Sequence, residues 1–254
     1  IINPVRVTNF TQIFRNTWAI SDSIRTTMMI AGDTNVAESR QDCAAFHAAD
    51  IEKAIFFSQK YTGTLNSKPI RTMDGLVNQV SINASGNVTT AGATTNYTQL
   101  EAALDVCFNT VTDPKVANER VLFTGGAGKR VINNIGRLNG TYQIVDGQTS
   151  YGLQFSTFKT ARGTFRMIEH PLFNSNPSWS KMAVAVDLST FRLAYLGDRK
   201  TQNKEFNMPE AGDMDVVDNG IDAVGGTLTT ELTCVVKNPP ANAIIYNLTA
   251  AAAG

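Results

Sequence analysis

A glycine-rich segment, GGAGK at residues 125–129, is the first place in this sequence where the residue types could do chemistry. It follows a short apolar run, as phosphate-binding loops do. Such a loop needs a glycine at position 123 and a serine or threonine at position 130, where this chain has Phe123 and Arg130. The mismatch at both ends favours a strand-to-helix turn. The start of the following helix would still attract an anion.

A run of three aspartates, Asp213, Asp215 and Asp218, resembles the beginning of a calcium-binding loop. The third ligand of such a loop would fall at position 217, which is Val217, and no flanking helices are predicted. We therefore interpret this run as an acidic loop that faces either solvent or another subunit.

Glu169 and His170 are adjacent and could exchange a proton, but no serine or cysteine in a nucleophile turn accompanies them. With two histidines in the chain, a histidine cluster for zinc is excluded, and the other histidine, His47, is interpreted as structural. The sequence therefore predicts no catalytic residue, no metal site and no cofactor.

The three cysteines are widely spaced, so they form neither a disulfide framework nor a metal motif. Cys43 and Cys107 lie among apolar residues of predicted helices, which favours positions in the core. The chain has 254 residues, of which 43% are hydrophobic, and this composition excludes a disordered protein. No apolar run approaches ~18 residues, so no membrane span is predicted. The first residues carry no features of a signal peptide and no initiator Met.

The net charge is zero, but the charges are unevenly distributed. A basic stretch between residues 120 and 170 contains Arg120, Lys129, Arg130, Arg137, Lys159, Arg162 and Arg166 against Asp146 and Glu169. An acidic stretch between residues 205 and 254 contains Glu205, Glu210, Asp213, Asp215, Asp218, Asp222 and Glu231 against Lys237. Opposite charges in one neutral chain are expected either to pair within a subunit or to dock copies on one another.

Residues 5–30 alternate apolar and polar side chains, which predicts a hairpin with its turn near Asn16 or residues 21–23. The next segment, residues 34–59, has helical periodicity, Thr34 as a candidate N-cap and Glu38 in the first turn. A helix of this length would be about 39 Å long. The hairpin is too short to form a core alone, so it must lie on another surface.

The rest of the chain mixes helices and strands. After a polar connection at 60–96, a helix is predicted with Asn96 as N-cap and Gln99 at the capping-box position. Further predicted elements are a strand at 121–123, a helix at 126–138, a hairpin of strands at 150–159 and 163–169, and strands at 182–186, 191–196, 227–236 and 243–248. This order indicates an α+β fold.

Several stretches in the same order resemble one family. They are NFTQIF at 9–14, DIEKAI at 50–55, RTMDGL at 71–76, GTFRMIEHP at 163–171, VAVD at 184–187 and LAYL at 193–196. Taken together they are similar to tailed-bacteriophage major capsid proteins with the Hong-Kong-97-like fold. The resemblance covers most of the chain.

This resemblance implies a domain organisation. Residues 1–33 would be the N-terminal arm and extended E-loop, and residues 34–74 the spine helix and first part of the peripheral domain. Residues 75–225 would be mainly the axial domain with some peripheral strands, and 226–254 would return to the peripheral domain as C-terminal strands and tail. The missing initiator Met would fit maturation cleavage.

The resemblance also implies a function. Copies would assemble into hexamers and pentamers of an icosahedral shell around double-stranded DNA, which the shell would hold without reading its sequence. Other implied partners are a portal, and scaffolding, maturation-protease or decoration proteins. The virion would be assembled in the cytoplasm of the host bacterium.

Two sets of inter-subunit contacts are predicted on this basis. The first set docks the hairpin on a neighbour through Phe10, Ile13, Phe14, Trp18 and Ile20. The second set pairs Arg130, Arg137 and Arg162 with Asp213, Asp215 or Asp218 of an adjacent subunit. Two alternatives stay open: an encapsulin-like shell for cargo enzymes, and a soluble enzyme that binds phosphate at residues 125–129.

Overall fold

A computed structural model describes residues 7–25, 35–109, 118–139, 157–206 and 223–252. The helices are α1 Asp22–Arg25, α2 Asn35–Phe57, α3 Leu76–Asn83, α4 Tyr97–Asp105, α5 Gly126–Leu138 and α6 Pro177–Ser180. The strands are β1 Gln12–Ser21, β2 Tyr61–Leu65, β3 Lys68–Thr72, β4 Val88–Thr90, β5 Glu119–Thr124, β6 Thr157–Lys159, β7 Thr164–Glu169, β8 Ala183–Val186, β9 Phe191–Tyr195, β10 Gln202–Phe206, β11 Ala223–Val236 and β12 Ala243–Tyr246.

The chain forms two compact units, and each is assembled from separate stretches of sequence. The first unit combines Ile1–Gly75 with Leu193–Cys234, and the second combines Leu76–Arg192 with Val235–Gly254. These boundaries differ from the predicted ones, because β11 pairs with the N-terminal strand β1 and β12 pairs with β4 and β8. Residues 193–225 were predicted to belong with the middle region, 75–225, but they are part of the first unit. Residues 235–254 were predicted to be separate from that region, but they are part of the second unit with most of it. The names axial and peripheral stay predictions.

The first unit is built on a sheet in which β11 is central. Strand β1 runs antiparallel to β11, from the pair Gln12 and Leu232 to the pair Ser21 and Ala223, and β10 lies on the other side of β11. Within the described residues the predicted hairpin is wrong: Gln12–Ser21 is a single strand whose partner is more than 200 residues away, and Asp22–Arg25 is helical. Residues 26–30 of the predicted hairpin lie outside the described part of the chain.

Helix α2 packs on one face of this sheet, and it confirms the long helix that was predicted over residues 34–59. Trp18, Ile20, Cys43, Val224 and Leu228 form one buried cluster between helix and sheet. Phe14, Ala54, Met73 and Leu232 form a second. The buried helix positions recur at helical spacing, so one side of α2 faces the sheet and its other side stays exposed.

A polar network, buried at His47 and Thr230, joins α2 to the sheet. The ring nitrogens of His47 lie 2.7 Å from Asn16 Oδ1 on β1 and 2.7 Å from Thr230 Oγ1 on β11. Asn16 Nδ2 donates to Asp50 Oδ2 at 3.0 Å, which orients Asn16 Oδ1 toward the histidine. These bonds explain why Asn16, expected at a turn, lies within a strand.

Strands β2 and β3 form a hairpin in the first unit that the sequence analysis missed. Their register runs from the pair Tyr61 and Thr72 to the pair Leu65 and Lys68. The two-residue turn consists of Asn66 and Ser67, both with positive φ (50° and 61°), as a type I′ turn requires.

The second unit contains a six-stranded mixed sheet in the order β4-β12-β8-β5-β7-β6. Its main cluster packs helices α4 and α5 on one face of the sheet through residues such as Leu104, Ile132, Leu122 and Phe165. The predicted capping box is confirmed: Asn96 Oδ1 accepts from Gln99 N at 2.9 Å, and Gln99 Oε1 accepts from Asn96 N at 3.2 Å. Helix α5 spans the predicted residues 126–138.

One buried ion pair lies in the second unit. Arg120 and Asp187 are both almost fully buried, with Arg120 Nη2 3.5 Å from Asp187 Oδ2. Arg120 also donates to the carbonyls of Ala241 and Glu119, and its guanidinium lies 5.1 Å from the Phe108 ring centroid. Arg120, one of the residues in the basic stretch, is therefore neutralised within the subunit.

None of the described helices combines the length and the apolar character needed to cross a bilayer.

Candidate functional site

The glycine-rich segment at residues 125–129 forms the predicted strand-to-helix turn between β5 and α5. A Cβ at Gly125 would lie 2.5 Å from Ser180 Cα, so glycine is required for the approach of α6. Gly128 is similarly enclosed by the Thr124 hydroxyl. The glycines therefore serve close packing.

The N-terminus of α5 already has acceptors from its own chain. Gly126 N donates to Asn174 Oδ1 at 2.7 Å, and Ala127 N lies 3.3 Å from Ser180 Oγ. Lys129 Nζ, the cation a phosphate would need, lies 3.3 Å from Glu169 Oε2. The groups that would hold a phosphate are thus engaged in holding α5 against the turn that carries Asn174.

Glu169 and His170 belong to the same arrangement. Glu169 Oε1 accepts from Asn174 Nδ2 at 3.3 Å, and His170 Nδ1 accepts from Leu172 N at 3.3 Å. The His170 ring also lies 5.7 Å from the Phe173 ring, centroid to centroid. Both side chains shape the short helical turn Pro171–Ser175, and this arrangement does not require an acid–base role for either of them.

The three cysteines lie in the interior of the protein. Cys43, Cys107 and Cys234 are buried thiols outside any disulfide, which confirms the core positions predicted for the first two. Burial raises the pKa of the Cys107 thiol to about 12, and it also raises the pKa of Cys43. Within the described residues, no group of three or more histidine, cysteine, aspartate or glutamate side chains is placed to bind a metal. The candidate calcium run, residues 213–218, lies outside them.

The residues predicted to dock a hairpin on a neighbour have different environments. Phe14, Trp18 and Ile20 are buried against α2 within the subunit. Ile13, on the opposite face of β1, is 54% exposed. The half-buried Phe10 ring lies 4.9 Å from Lys60 Nζ and 5.7 Å from the Arg71 guanidinium. Of the five residues, Ile13 and Phe10 therefore keep accessible surface, and their contact with a neighbour stays a prediction.

The three arginines predicted to pair with a neighbouring subunit also differ. Arg130 and Arg137 are exposed and one heptad apart, so they share a face of α5. Arg162 instead donates to the carbonyls of Asp105 and Phe108, at 3.3 and 3.2 Å, near the end of α4. These carbonyls need donors, so Arg162 has a function within its own chain. Because Asp213, Asp215 and Asp218 lie outside the described residues, the inter-subunit pairing stays a prediction.

The β2–β3 hairpin of the first unit carries accessible apolar side chains. Nearly every residue from Tyr61 to Arg71 is exposed, on both faces of the two strands; Tyr61 is 54% and Leu65 60% exposed. The hairpin bears Lys68 and Arg71 and no acidic residue. The sequence feature that indicates this hairpin is the pair Asn66-Ser67 at the turn. This pair is a weaker hairpin signal than Asn-Gly.

Comparison with known families and proteins gives a consistent result. The family described as SU10 major capsid protein matches residues 1–249 of this chain. The major capsid protein of Pseudomonas phage PaMx41 is 36% identical over 255 residues, which cover 97% of this chain and 61% of that protein. The chain thus spans about three fifths of the length of this relative.

Three solved structures show the fold. A chain of the SrpI encapsulin complex from Synechococcus elongatus PCC 7942 matches with a TM-score of 0.59 at 8% identity, and the match covers 94% of this chain and 74% of that one. A chain of the satellite phage P4 procapsid has a TM-score of 0.54 at 13% identity, with 100% of this chain and 76% of that one covered. A chain of Microbacterium phage Oxtober96 has a TM-score of 0.56 at 14% identity, with 96% of this chain and 73% of that one covered. The predicted α+β, Hong-Kong-97-like fold is confirmed by this likeness.

Proposed function

The chain belongs to the SU10 major capsid protein family, and from this membership we propose that it is the shell-forming subunit of a tailed bacteriophage head. Copies assemble into hexamers and pentamers that close an icosahedral shell, and this shell is a component of the virion. The role is structural: the groups that first suggested an enzyme, Lys129, Glu169 and His170, are engaged in local packing.

The observation that carries this proposal is the exposed β2–β3 hairpin. A two-stranded hairpin without a supporting surface is marginally stable, and exposed apolar residues such as Tyr61 and Leu65 are a liability on a monomer. In a shell, the hairpin lies on the next copy. Because the hairpin and its docking surface are different parts of one subunit, the contact is heterologous and can close into rings.

Two further surfaces support contacts between copies. Ile13 and Phe10 extend the accessible surface near the first strand, and the basic face of α5 presents Arg130 and Arg137. An acidic segment that includes Asp213, Asp215 and Asp218 has the complementary charge. Each contact is small, and repetition around closed rings makes the shell stable.

The other partners follow from the family. The shell encloses double-stranded DNA, is assembled in the cytoplasm of the host bacterium, and meets a portal and scaffolding, protease or decoration proteins. An encapsulin-like shell for cargo enzymes shares the fold, as the Synechococcus structure shows. The family match and the relative from a Pseudomonas phage favour the phage head.

The test is the oligomeric state of the purified chain. We expect size-exclusion chromatography with light scattering to show capsomers or larger particles, and electron microscopy to show rings or closed shells. Particles that contain nucleic acid would separate the phage head from a cargo shell, which would contain an enzyme. A monomer at every concentration and salt condition would contradict the proposal.

A further inference from the structure

A groove lies beside the outer strand of the six-stranded sheet in the second unit. Strand β4 is the first strand of that sheet, and within the described residues no strand pairs with its outer side. The groove has a volume of about 410 Å³ and lies between β4, the loop that follows it and helix α4. The residues that line it include Thr89, Thr95, Leu100, Ala102, Ala103 and Ile245. We call it the β4–α4 groove.

The floor of the β4–α4 groove is apolar, and a hydroxyl lies at its wall. Leu100, Ala103 and Ile245 are buried, while Ala102 is exposed. Thr95 is 4% exposed, and its hydroxyl has no hydrogen-bond partner among the described residues. A buried hydroxyl without a partner is costly, so a group that enters the groove and bonds to it gains stability. None of the lining residues is charged.

The edge of β4 also offers backbone groups. The N–H of Ala91 donates to the carbonyl of Tyr246 at 2.8 Å, on the side of β12. Successive residues of a strand point their backbone groups to opposite sides, so the N–H of Thr90 faces away from β12. An open strand edge beside an apolar groove is the arrangement that accepts an added strand, whose alternate side chains enter the groove.

One segment of the chain has the pattern of such a strand. Residues 140–156 lie outside the described part of the chain, and within them Tyr151, Leu153 and Phe155 alternate with small or polar residues. This alternation predicts a strand with one apolar side. Residues 147–156 carry no charge, like the groove. The segment leads directly into β6, the strand at the other edge of the same sheet.

Leu153 cannot reach the groove of its own subunit. Five strand spacings separate β4 from β6, which is about 24 Å at roughly 4.8 Å for each spacing. Leu153 precedes Thr157 by four residues, and four extended residues span at most about 14 Å. The groove that Leu153 can enter therefore belongs to another copy.

We propose that residues 151–155 of one copy add a strand to β4 of the next copy and place Leu153 in its β4–α4 groove. This inference rests on the proposed function, since a ring of copies supplies the neighbour. The segment and the groove lie at opposite edges of one sheet, so the contact is heterologous and can close into a ring. It also covers the β4 edge, which would otherwise be open to unwanted pairing.

The test is cross-linking within assembled particles. Leu153→Cys and Ala102→Cys are combined in one chain, and a short bis-maleimide joins neighbouring thiols before a denaturing gel. The three native cysteines are buried, so the introduced thiols are the ones that react. The matched control combines Leu153→Cys with Ile82→Cys, because Ile82 is 66% exposed but does not line the groove.

We expect the first pair to give a ladder of covalent oligomers that ends at pentamers and hexamers. The control pair should give about tenfold less oligomer, because only the groove holds the two thiols at a high effective concentration. Equal yields from the two pairs, cross-links confined to single chains, or particles without a ladder would each overturn the inference. The second of these outcomes would mean that the segment occupies its own groove, and the third that the groove has another occupant or none.

A second variant tests the added strand itself. Thr90→Pro removes the N–H that faces the incoming strand and leaves the bond from Ala91 to β12 in place. Thr90→Val is the control, since it keeps the N–H. We expect the protein concentration needed for assembly to rise about tenfold for Thr90→Pro and to stay unchanged for Thr90→Val. Assembly of a folded Thr90→Pro chain at the wild-type concentration would contradict strand addition.

Circular dichroism of the unassembled chain shows whether each variant folds, and if Thr90→Pro does not, the cross-linking result decides. Failure of the inference and failure of the proposed function are read from different measurements. If particles form without a ladder, the inference is wrong while the shell function stands. If the wild-type chain forms no particles, the shell function fails, and covalent oligomers of the soluble chain would still support the contact.

Discussion

At the scale of single residues, His47 is a buried polar side chain that joins the long helix to the sheet. His47 lies between Asn16 and Thr230, and Asn16 Oδ1 can only accept, so His47 Nδ1 carries a proton. Burial lowers the pKa of His47, while nearby Asp50 raises it by a smaller amount. The neutral imidazole is therefore the form that joins helix to sheet.

This shift predicts a pH dependence of stability. The pKa of His47 is lowered on folding, so the unfolded chain binds more protons as the pH falls below about 6.5, the ordinary value. The stabilisation that neutral His47 gives the folded state is complete above that pH and declines as the pH falls. The decline ends once the pH is below the pKa of His47 in the folded state. We expect urea unfolding at pH 7.5 and pH 5 to differ more for wild type than for His47→Gln.

Fluorescence of Trp18, in the same unit, reports this unfolding. Other groups titrate in the same range, so the informative quantity is the difference between the two proteins. An identical pH dependence in wild type and His47→Gln would show that His47 contributes nothing to it.

At the scale of secondary-structure elements, packing decides where glycine is needed. A Cβ at Gly226 would lie 2.9 Å from Trp18 Nε1 and 3.1 Å from Trp18 Cε2. Trp18 is buried, and the Arg40 guanidinium lies 5.7 Å from the centroid of its ring. The indole therefore has little room to move aside. Arg40 is also paired with Glu205 at 2.7 Å, which adds to the rigidity of this site.

Gly226→Ala should therefore destabilise the first unit by about 1–3 kcal/mol, as overpacking does. Gly86→Ala is the control, because a Cβ there meets no atom within 4 Å. The measurement is the free energy of unfolding in urea, with near-ultraviolet circular dichroism to report the Trp18 environment. Equal stability of the two variants would mean that the indole can shift at no cost.

Elements with strong local signals could be predicted from the sequence, and elements that depend on distant partners could not. The capping box at Asn96 and the glycine turn before α5 placed two helices correctly, because both signals are local. Alternation correctly predicted that β1 is extended. Its partner β11 is more than 200 residues away, so a local hairpin was the wrong choice.

The candidate surfaces were harder to predict, for a physical reason. Burial depends on which side of a strand meets α2, and that choice requires the register. Ile13 and Phe14 are neighbours in sequence, yet one is exposed and the other buried. Likewise the charge of Arg162 was visible, but its bonds to the carbonyls near the end of α4 require the folded chain.

At the scale of the whole molecule, several surfaces are accessible for contact with other copies. The β2–β3 hairpin, the exposed side of α2 and the basic face of α5 are all accessible. Exposed apolar side chains such as Phe46 on α2 and Tyr61 and Leu65 on the hairpin are typical of surfaces that contact another molecule when they form a patch. In a shell, each of them can meet another copy, which is why the subunit is understood best as part of an assembly.

Leu65→Asp places a charge on the hairpin. Because Leu65 is 60% exposed, we expect the stability of the monomer to change by less than about 0.5 kcal/mol. Assembly should be lost or strongly weakened, because the charge would be buried on the neighbouring copy. Light scattering after size-exclusion chromatography measures the assembly.

The control for this variant is Ile82→Asp, since Ile82 is similarly exposed but lies on α3 of the second unit. Assembly of Leu65→Asp at the wild-type concentration would remove the hairpin from the inter-subunit contacts. A large loss of monomer stability would show instead that the hairpin supports its own subunit.

The pairing of β1 with β11 also has a consequence during synthesis. About 200 residues separate the end of β1 from the start of its partner, and a ribosome adds roughly 5–20 residues per second. For roughly 10–40 s, β1 therefore lacks its partner strand β11, and Phe14, Trp18 and Ile20 lack the contacts that β11 provides. The nascent chain needs protection during this interval, and a subunit competent to join others exists only once β11 has been translated.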